Sequence, residues 1–81
     1  MKIRVEFYSQ LYDLTGVRRL DLDLPLKSTV ADLLEEVCAK LPALRSQDKS
    51  ILVGVGVEFV ARNYELKPGD EISVMPPVQG G

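Results

Sequence analysis

The chain has 81 residues, enough for one compact domain with a single core and little interior in which to bury an active site. Ten basic against twelve acidic side chains leave a formal charge of −2. No basic field is therefore available to gather phosphate backbones or an anionic membrane, and neither nucleic acid nor a membrane is an expected partner. With 46% hydrophobic and 27% charged residues the composition is that of a folded domain, not a disordered chain. No histidine and a single cysteine rule out a Ser-His-Asp or Cys-His pair and a Cys/His zinc site within one chain. One cysteine closes no internal disulfide, which fits a reducing compartment, and a cytoplasmic location is expected. The segment Met1 to Glu6 alternates charged and apolar residues and lacks the apolar stretch of a signal peptide. The longest apolar run, Ile51 to Val57, is far short of the ~20 residues that span a bilayer.

In chain order, residues 2–8 place Ile3, Val5 and Phe7 on one parity and Lys2, Arg4 and Glu6 on the other, the pattern of a strand with one buried face. Ser9 can cap a short helical turn carrying Leu11 and Leu14, which Gly16 ends where positive φ is cheap. Leu20, Leu22 and Leu24 then alternate with Arg19, Asp21 and Asp23 until Pro25, and this second strand should pair antiparallel with the first. Thr29 and Asp32 have the spacing of a capping box. They open a helix whose apolar stripe is Val30, Leu33, Leu34, Val37 and Leu41, with Asp32, Glu35, Glu36 and Lys40 facing water. Pro42 ends it, and residues 43–50 read as a connecting loop. Ile51, Val53 and Val55 mark a third strand with Gly54 and Gly56 on its other face, residues 58–61 a shorter one, and Lys67-Pro68-Gly69-Asp70 a tight turn. Ile72 and Val74 point inward from a last strand. The order predicts an α+β roll: a mixed sheet of about five strands with one main helix across it.

The chain ends Met75-Pro76-Pro77-Val78-Gln79-Gly80-Gly81. Two glycines without Cβ can thread a slot too narrow for other residues and leave the last carbonyl carbon open to a reagent. The proline pair stops the strand and stiffens the base of the segment. Five extended residues from Pro77 reach about 17 Å at ~3.4 Å per residue. The division expected is a folded body over residues 1–75 and a flexible tail over 76–81; a frayed end without a role is the plainer alternative. Parity adds a docking face. With Phe7 and Val74 inward, Tyr8 and Met75 point out, and Phe59 does the same if Val60 is buried. A trio of large apolar side chains on one sheet face marks an interface, unless strand twist buries them.

The remaining candidates have ordinary readings. Cys38 lies beside the helix stripe and reads as a small buried hydrophobe, with no basic neighbour to activate a thiolate. Asp21 and Asp23 share a strand face and could hold a cation, though solubilising that face is the simpler role; no metal site is expected. Asp70-Glu71 is turn chemistry. Arg18-Arg19, Arg62 and Lys67 are scattered charges without a glycine-rich loop, so no nucleotide or other cofactor is expected on this chain alone.

Pro76-Pro77-Val78-Gln79-Gly80-Gly81, the Leu66-to-Ile72 stretch and the Phe7-to-Gly16 segment together resemble the ubiquitin-like β-grasp sulfur carriers, in particular those of the molybdopterin synthase small-subunit type. The resemblance covers essentially the whole chain. It departs at Gly56, where asparagine is common, and at Tyr12-Asp13, where Arg-Glu is common. The resemblance implies a β-grasp roll. It also implies that a ubiquitin-activating-type enzyme uses ATP and magnesium to adenylate Gly81, after which persulfide sulfur converts the acyl group to a thiocarboxylate. The carrier would then donate sulfur to cyclic pyranopterin monophosphate in the large, catalytic subunit of molybdopterin synthase, within an assembly of two small and two large subunits. Gly80 and Gly81 would carry the chemistry, and Tyr8, Phe59, Met75, Pro76, Pro77, Val78 and Gln79 would contact the partner. A carrier for thiamine or tRNA thiolation and a ubiquitin-like protein modifier are the alternatives.

Overall fold

The computed structural model describes residues 1–47 and 49–76. Five strands form one mixed sheet: β1 (Lys2–Phe7), β2 (Arg19–Asp23), β3 (Leu52–Val55), β4 (Glu58–Phe59) and β5 (Glu71–Met75), in the spatial order β2-β1-β5-β3-β4. Helix α1 (Gln10–Thr15) joins β1 to β2. Helix α2 (Val30–Lys40) follows β2, and a short 3-10 helix, Pro42–Gln47, precedes β3. The α+β roll expected from the sequence is the fold observed.

Strand parity builds the core. Ile3, Val5 and Phe7 of β1, Leu22 of β2, Val53 of β3 and Ile72 and Val74 of β5 are all buried, and they meet Val30, Leu33, Leu34, Val37 and Cys38 of α2. One sheet face and one helix stripe thus remove each other from water, each buried aliphatic side chain contributing about 1.5–3 kcal/mol against exposure. Leu41, the last residue of the expected stripe, caps the helix and is half-buried.

The start of α2 is tied down at each of its first three amides. Thr29 and Asp32 form the expected capping box, with Asp32 N donating to Thr29 Oγ1 (3.3 Å) and Thr29 N to Asp32 Oδ2 (2.9 Å). The amides of Val30 and Ala31 donate to the carbonyls of Tyr64 and Arg62 at 3.0 and 2.9 Å. These bonds satisfy donors that every helix start leaves open, and they fasten the segment between β4 and β5 onto the helix.

That tie explains one correction. β4 is two residues long, not the four expected over 58–61: Val60 N still reaches Val53 O at 2.9 Å, but the following carbonyls are committed to α2 and the chain leaves the sheet. Ser9 is a second. Its φ of 52° and ψ of −129° leave the hydroxyl without a capping bond, and the first amides of α1 donate instead to the carbonyls of Tyr8 and Ser9. A third concerns residues 43–50, where a 3-10 helix carries Leu44 into the core, fully buried. Gly56 lies past the end of β3, in the turn to β4, where its φ of 61° supplies the reversal. The turn before β5 is as expected, with Gly69 at φ 87° and Asp70 N donating to Lys67 O at 3.0 Å.

Replacing Thr29 by Ala removes the box and should lower unfolding free energy by about 0.5–2 kcal/mol. Urea denaturation should show this as a lower midpoint with an unchanged slope.

Candidate functional site

The outer face of the sheet, away from α2, divides into two halves. On β1 and β2 it is charged, with opposite signs in register: Lys2 faces Asp23, Arg4 faces Asp21 and Glu6 faces Arg19 across the antiparallel ladder. Arg4 Nε reaches Asp21 Oδ1 at 3.3 Å, and the Met1 ammonium reaches Asp23 Oδ1 at the same distance. Opposed charges of this kind stabilise the strand pair modestly and leave no net field. The two aspartates considered as a cation site are engaged in these pairs. Among the described residues no group of three acidic, cysteine or histidine side chains could hold a metal ion.

On β5, β3 and β4 the same face is apolar towards the end where β5 finishes, with Ser73 and Glu71 of β5 lying towards the other end. Met75 of β5 lies opposite Leu52 of β3, and Phe59 of β4 lies opposite Gly54. Gly54 is buried although it has no side chain, because Met75 covers it: a Cβ built there would sit 3.6 Å from Met75 Cε. Met75 and Leu52 are half-buried, whereas Phe59 is 65% and Tyr8 44% exposed. Tyr8 extends the β1–β5 ladder, its amide donating to Val74 O at 3.2 Å, while its hydroxyl donates to Glu6 Oε2 at 3.2 Å. That bond places its ring on the outer face. Tyr8, Phe59 and Met75 therefore share one face, as their parity predicts. Leu52 was not singled out from sequence, although the inward parity of Val53 and Val55 already puts it outside.

The parallel register sets the exit of the chain. Phe7 pairs with Val74, so β1 and β5 finish at the same end of the sheet, and Pro76, half-buried, follows directly. Pro77, Val78, Gln79, Gly80 and Gly81 lie outside the described residues. A groove of about 390 Å³ lined by Lys2, Arg4, Asp21, Asp23, Asp70 and Glu71 sits at the opposite end, where β1 and β5 begin. It is a trough between paired charges, remote from the chain exit. Cys38 is buried in the core, in keeping with a packing role. No helix among the described residues is long and apolar enough to cross a membrane.

A single helix laid over a five-stranded sheet in this order defines a ubiquitin-like β-grasp protein. The ThiS family model matches residues 5–81, and the chain belongs to that family. Among its relatives are the molybdopterin synthase sulfur carrier subunits of Chlamydomonas reinhardtii, 31% identical with 100% of both chains covered, and of Homo sapiens, 30% identical with 99% of this chain and 94% of the relative covered. The small archaeal modifier protein SAMP1 of Haloferax volcanii superposes with a TM-score of 0.88 at 28% identity over 100% of both chains.

The exposed rings can change without loss of the fold. Tyr8→Glu and Phe59→Glu should each move unfolding free energy by no more than about 0.5 kcal/mol, whereas Leu33→Ala should cost about 2–5 kcal/mol. Thermal denaturation checks this: a collapsed transition in Phe59→Glu would mean that the ring belongs to the core.

Proposed function

We propose that this chain is the sulfur carrier subunit of a molybdopterin synthase. One observation carries the reading: the strand that precedes the Pro-Pro-Val-Gln-Gly-Gly sequence lies at the centre of the sheet and finishes beside an exposed apolar face. The names of the relatives at 30% and 31% identity support it.

The chemistry proposed is confined to Gly81. Its carboxylate is a poor electrophile, because the negative charge is shared by two oxygens. A ubiquitin-activating-type enzyme using ATP and magnesium joins a carboxylate oxygen to the α-phosphorus and releases pyrophosphate. Persulfide sulfur attacks the acyl carbon of the adenylate and AMP leaves. A thiol then cleaves the sulfur–sulfur bond, and the thiocarboxylate remains on Gly81. The absence of a Cβ at Gly80 and Gly81 lets this end enter a narrow pocket. There, in the large catalytic subunit, it transfers sulfur to cyclic pyranopterin monophosphate. The body of the chain supplies no acid or base to this sequence; it binds and presents. Tyr8, Phe59, Met75 and Pro76 would form the contact on the described surface, with Pro77, Val78 and Gln79 continuing it, in a cytoplasmic assembly of two small and two large subunits.

The likeness to SAMP1 favours one second reading, a ubiquitin-like modifier in which the activated Gly81 acyl group is joined to lysine side-chain amines of other proteins. The two readings differ in product. With the cognate activating enzyme, ATP and a sulfur source, the carrier reading expects intact mass to rise by about 16 Da as sulfur replaces oxygen, with no isopeptide-linked Gly81 in the cell. A chain extended by one residue beyond Gly81 should not be adenylated yet should still bind the large subunit. Phe59→Glu should be adenylated but weaken that binding at least about tenfold, as expected for an aromatic anchor at an interface. No mass gain with the cognate enzyme would remove the carrier reading.

A further inference from the structure

Beside the chain exit stands a cation that the apolar face does not account for. Arg18 lies just before β2, and its carbonyl accepts from Phe7 N at 2.9 Å, which fixes it to the end of β1 from which Tyr8 projects. Its guanidinium carbon sits 5.0 Å from the centroid of the Tyr12 ring on α1. Both residues are exposed. Elsewhere on the described surface Arg4 and Arg45 are paired with Asp21 and Glu35, each within 3.4 Å. Among the described residues no carboxylate pairs with Arg18. Glu6, on the neighbouring strand, accepts from the Tyr8 hydroxyl and faces Arg19. An aromatic ring restrains a guanidinium by its face without neutralising it. Arg18 is thus held on a ring face with no acceptor for its guanidinium among the described residues, at the end of the sheet where β5 finishes.

We propose that Arg18, held on the Tyr12 ring, is a preorganised docking cation that pairs with a carboxylate of the large subunit receiving the tail. The inference rests on the carrier reading and names a partner contact separate from the apolar patch. The argument for an acidic complement is the charge left open, and the argument for this partner is continuity: Arg18, Tyr8 and the chain exit share one end of the sheet. Tyr12 is a positioning residue here. It spares the arginine the loss of side-chain freedom that binding otherwise costs, and planar bidentate donors suit a carboxylate.

The test is the affinity of the full chain for the large subunit of the same organism, measured at 50 and 300 mM NaCl. Arg18→Ala should weaken binding about 3–10-fold at low salt and flatten the salt dependence, since exposed charge pairs are screened. Arg18→Glu should weaken it further. Tyr12→Phe keeps the ring and should bind like the parent. Tyr12→Ala should lose about 2–3-fold alone but nothing further when combined with Arg18→Ala, which a direct Tyr12 contact would not produce. Thermal midpoints should stay with the parent throughout. Parent-like affinity and salt dependence in Arg18→Ala, with Phe59→Glu still defective, would overturn this proposal and leave the carrier reading intact. An Arg18→Ala defect confined to adenylation would also overturn it, by assigning the cation to the activating enzyme. Failure of the parent chain to bind the large subunit would remove both.

Discussion

The parallel pairing of β1 with β5 is the constraint on which the rest of the molecule depends. It joins residues 4–7 to residues 71–74, the two ends of the chain, and parallel neighbours can be joined only by a long crossover. The whole interior of the sequence is that crossover. Helix α2 fills it, covering the inner face of the sheet, while β2 and the β3–β4 pair extend the two flanks. Because the pairing is parallel, the end of β5 coincides with the end of β1. β5 therefore finishes at the centre of the sheet and not at an edge, at the same end as Tyr8 and Arg18, with Pro76 following half-buried.

A central exit also explains why the outer face is divided. Strands on the β1–β2 side carry opposite charges in register, Arg4 and Asp21 forming an ion pair; covering such a surface would strip charges of water with little gain in return. On the other side Met75, Leu52 and Phe59 surround a glycine, and no charged side chain of β3 or β5 intervenes near the exit. Covering that half removes apolar surface from water at no electrostatic cost. One sheet thus presents a charged half and an apolar half, the latter beside the end of β5.

Much of this was legible in the sequence because it depends on period and on turn chemistry. Two-residue alternation in β1 and β2, the Thr29–Asp32 box and the Pro68-Gly69 turn each name a local structure with a single physical cause, and each formed as read. Parity also sufficed to bring Tyr8, Phe59 and Met75 to one face, and carried one step further it would have found Leu52. What sequence did not show were features that one segment imposes on another. The brevity of β4 follows from carbonyls of residues 62 and 64 being drawn to the helix start. The 3-10 turn at Pro42–Gln47 exists because one leucine in a polar stretch finds the core. Ser9, a residue type that caps helices, fails to cap because its backbone turns into the left-handed region to leave β1. The Arg18–Tyr12 stack spans α1 and the turn after it, so neither residue is distinctive in its own segment.

The division of labour between body and tail has a thermodynamic consequence. A carrier must be recognised by the protein that loads it and by the protein that unloads it, yet it must leave each, so no single contact can be so strong that it holds the complex. An apolar patch of a few side chains provides affinity that is insensitive to salt. On the proposed reading the restrained Arg18, at the same end of the sheet, would provide orientation and faster encounter, with an attraction that the surrounding ions moderate. On that reading neither depends on the chemical state of Gly81, so both would serve a carboxylate and a thiocarboxylate equally. Direction must then come from the partner pockets, which act on the acyl group itself. Under the same proposal Tyr8 and Arg18 at the chain exit bind, and the acyl group would be acted on inside the partner's pocket.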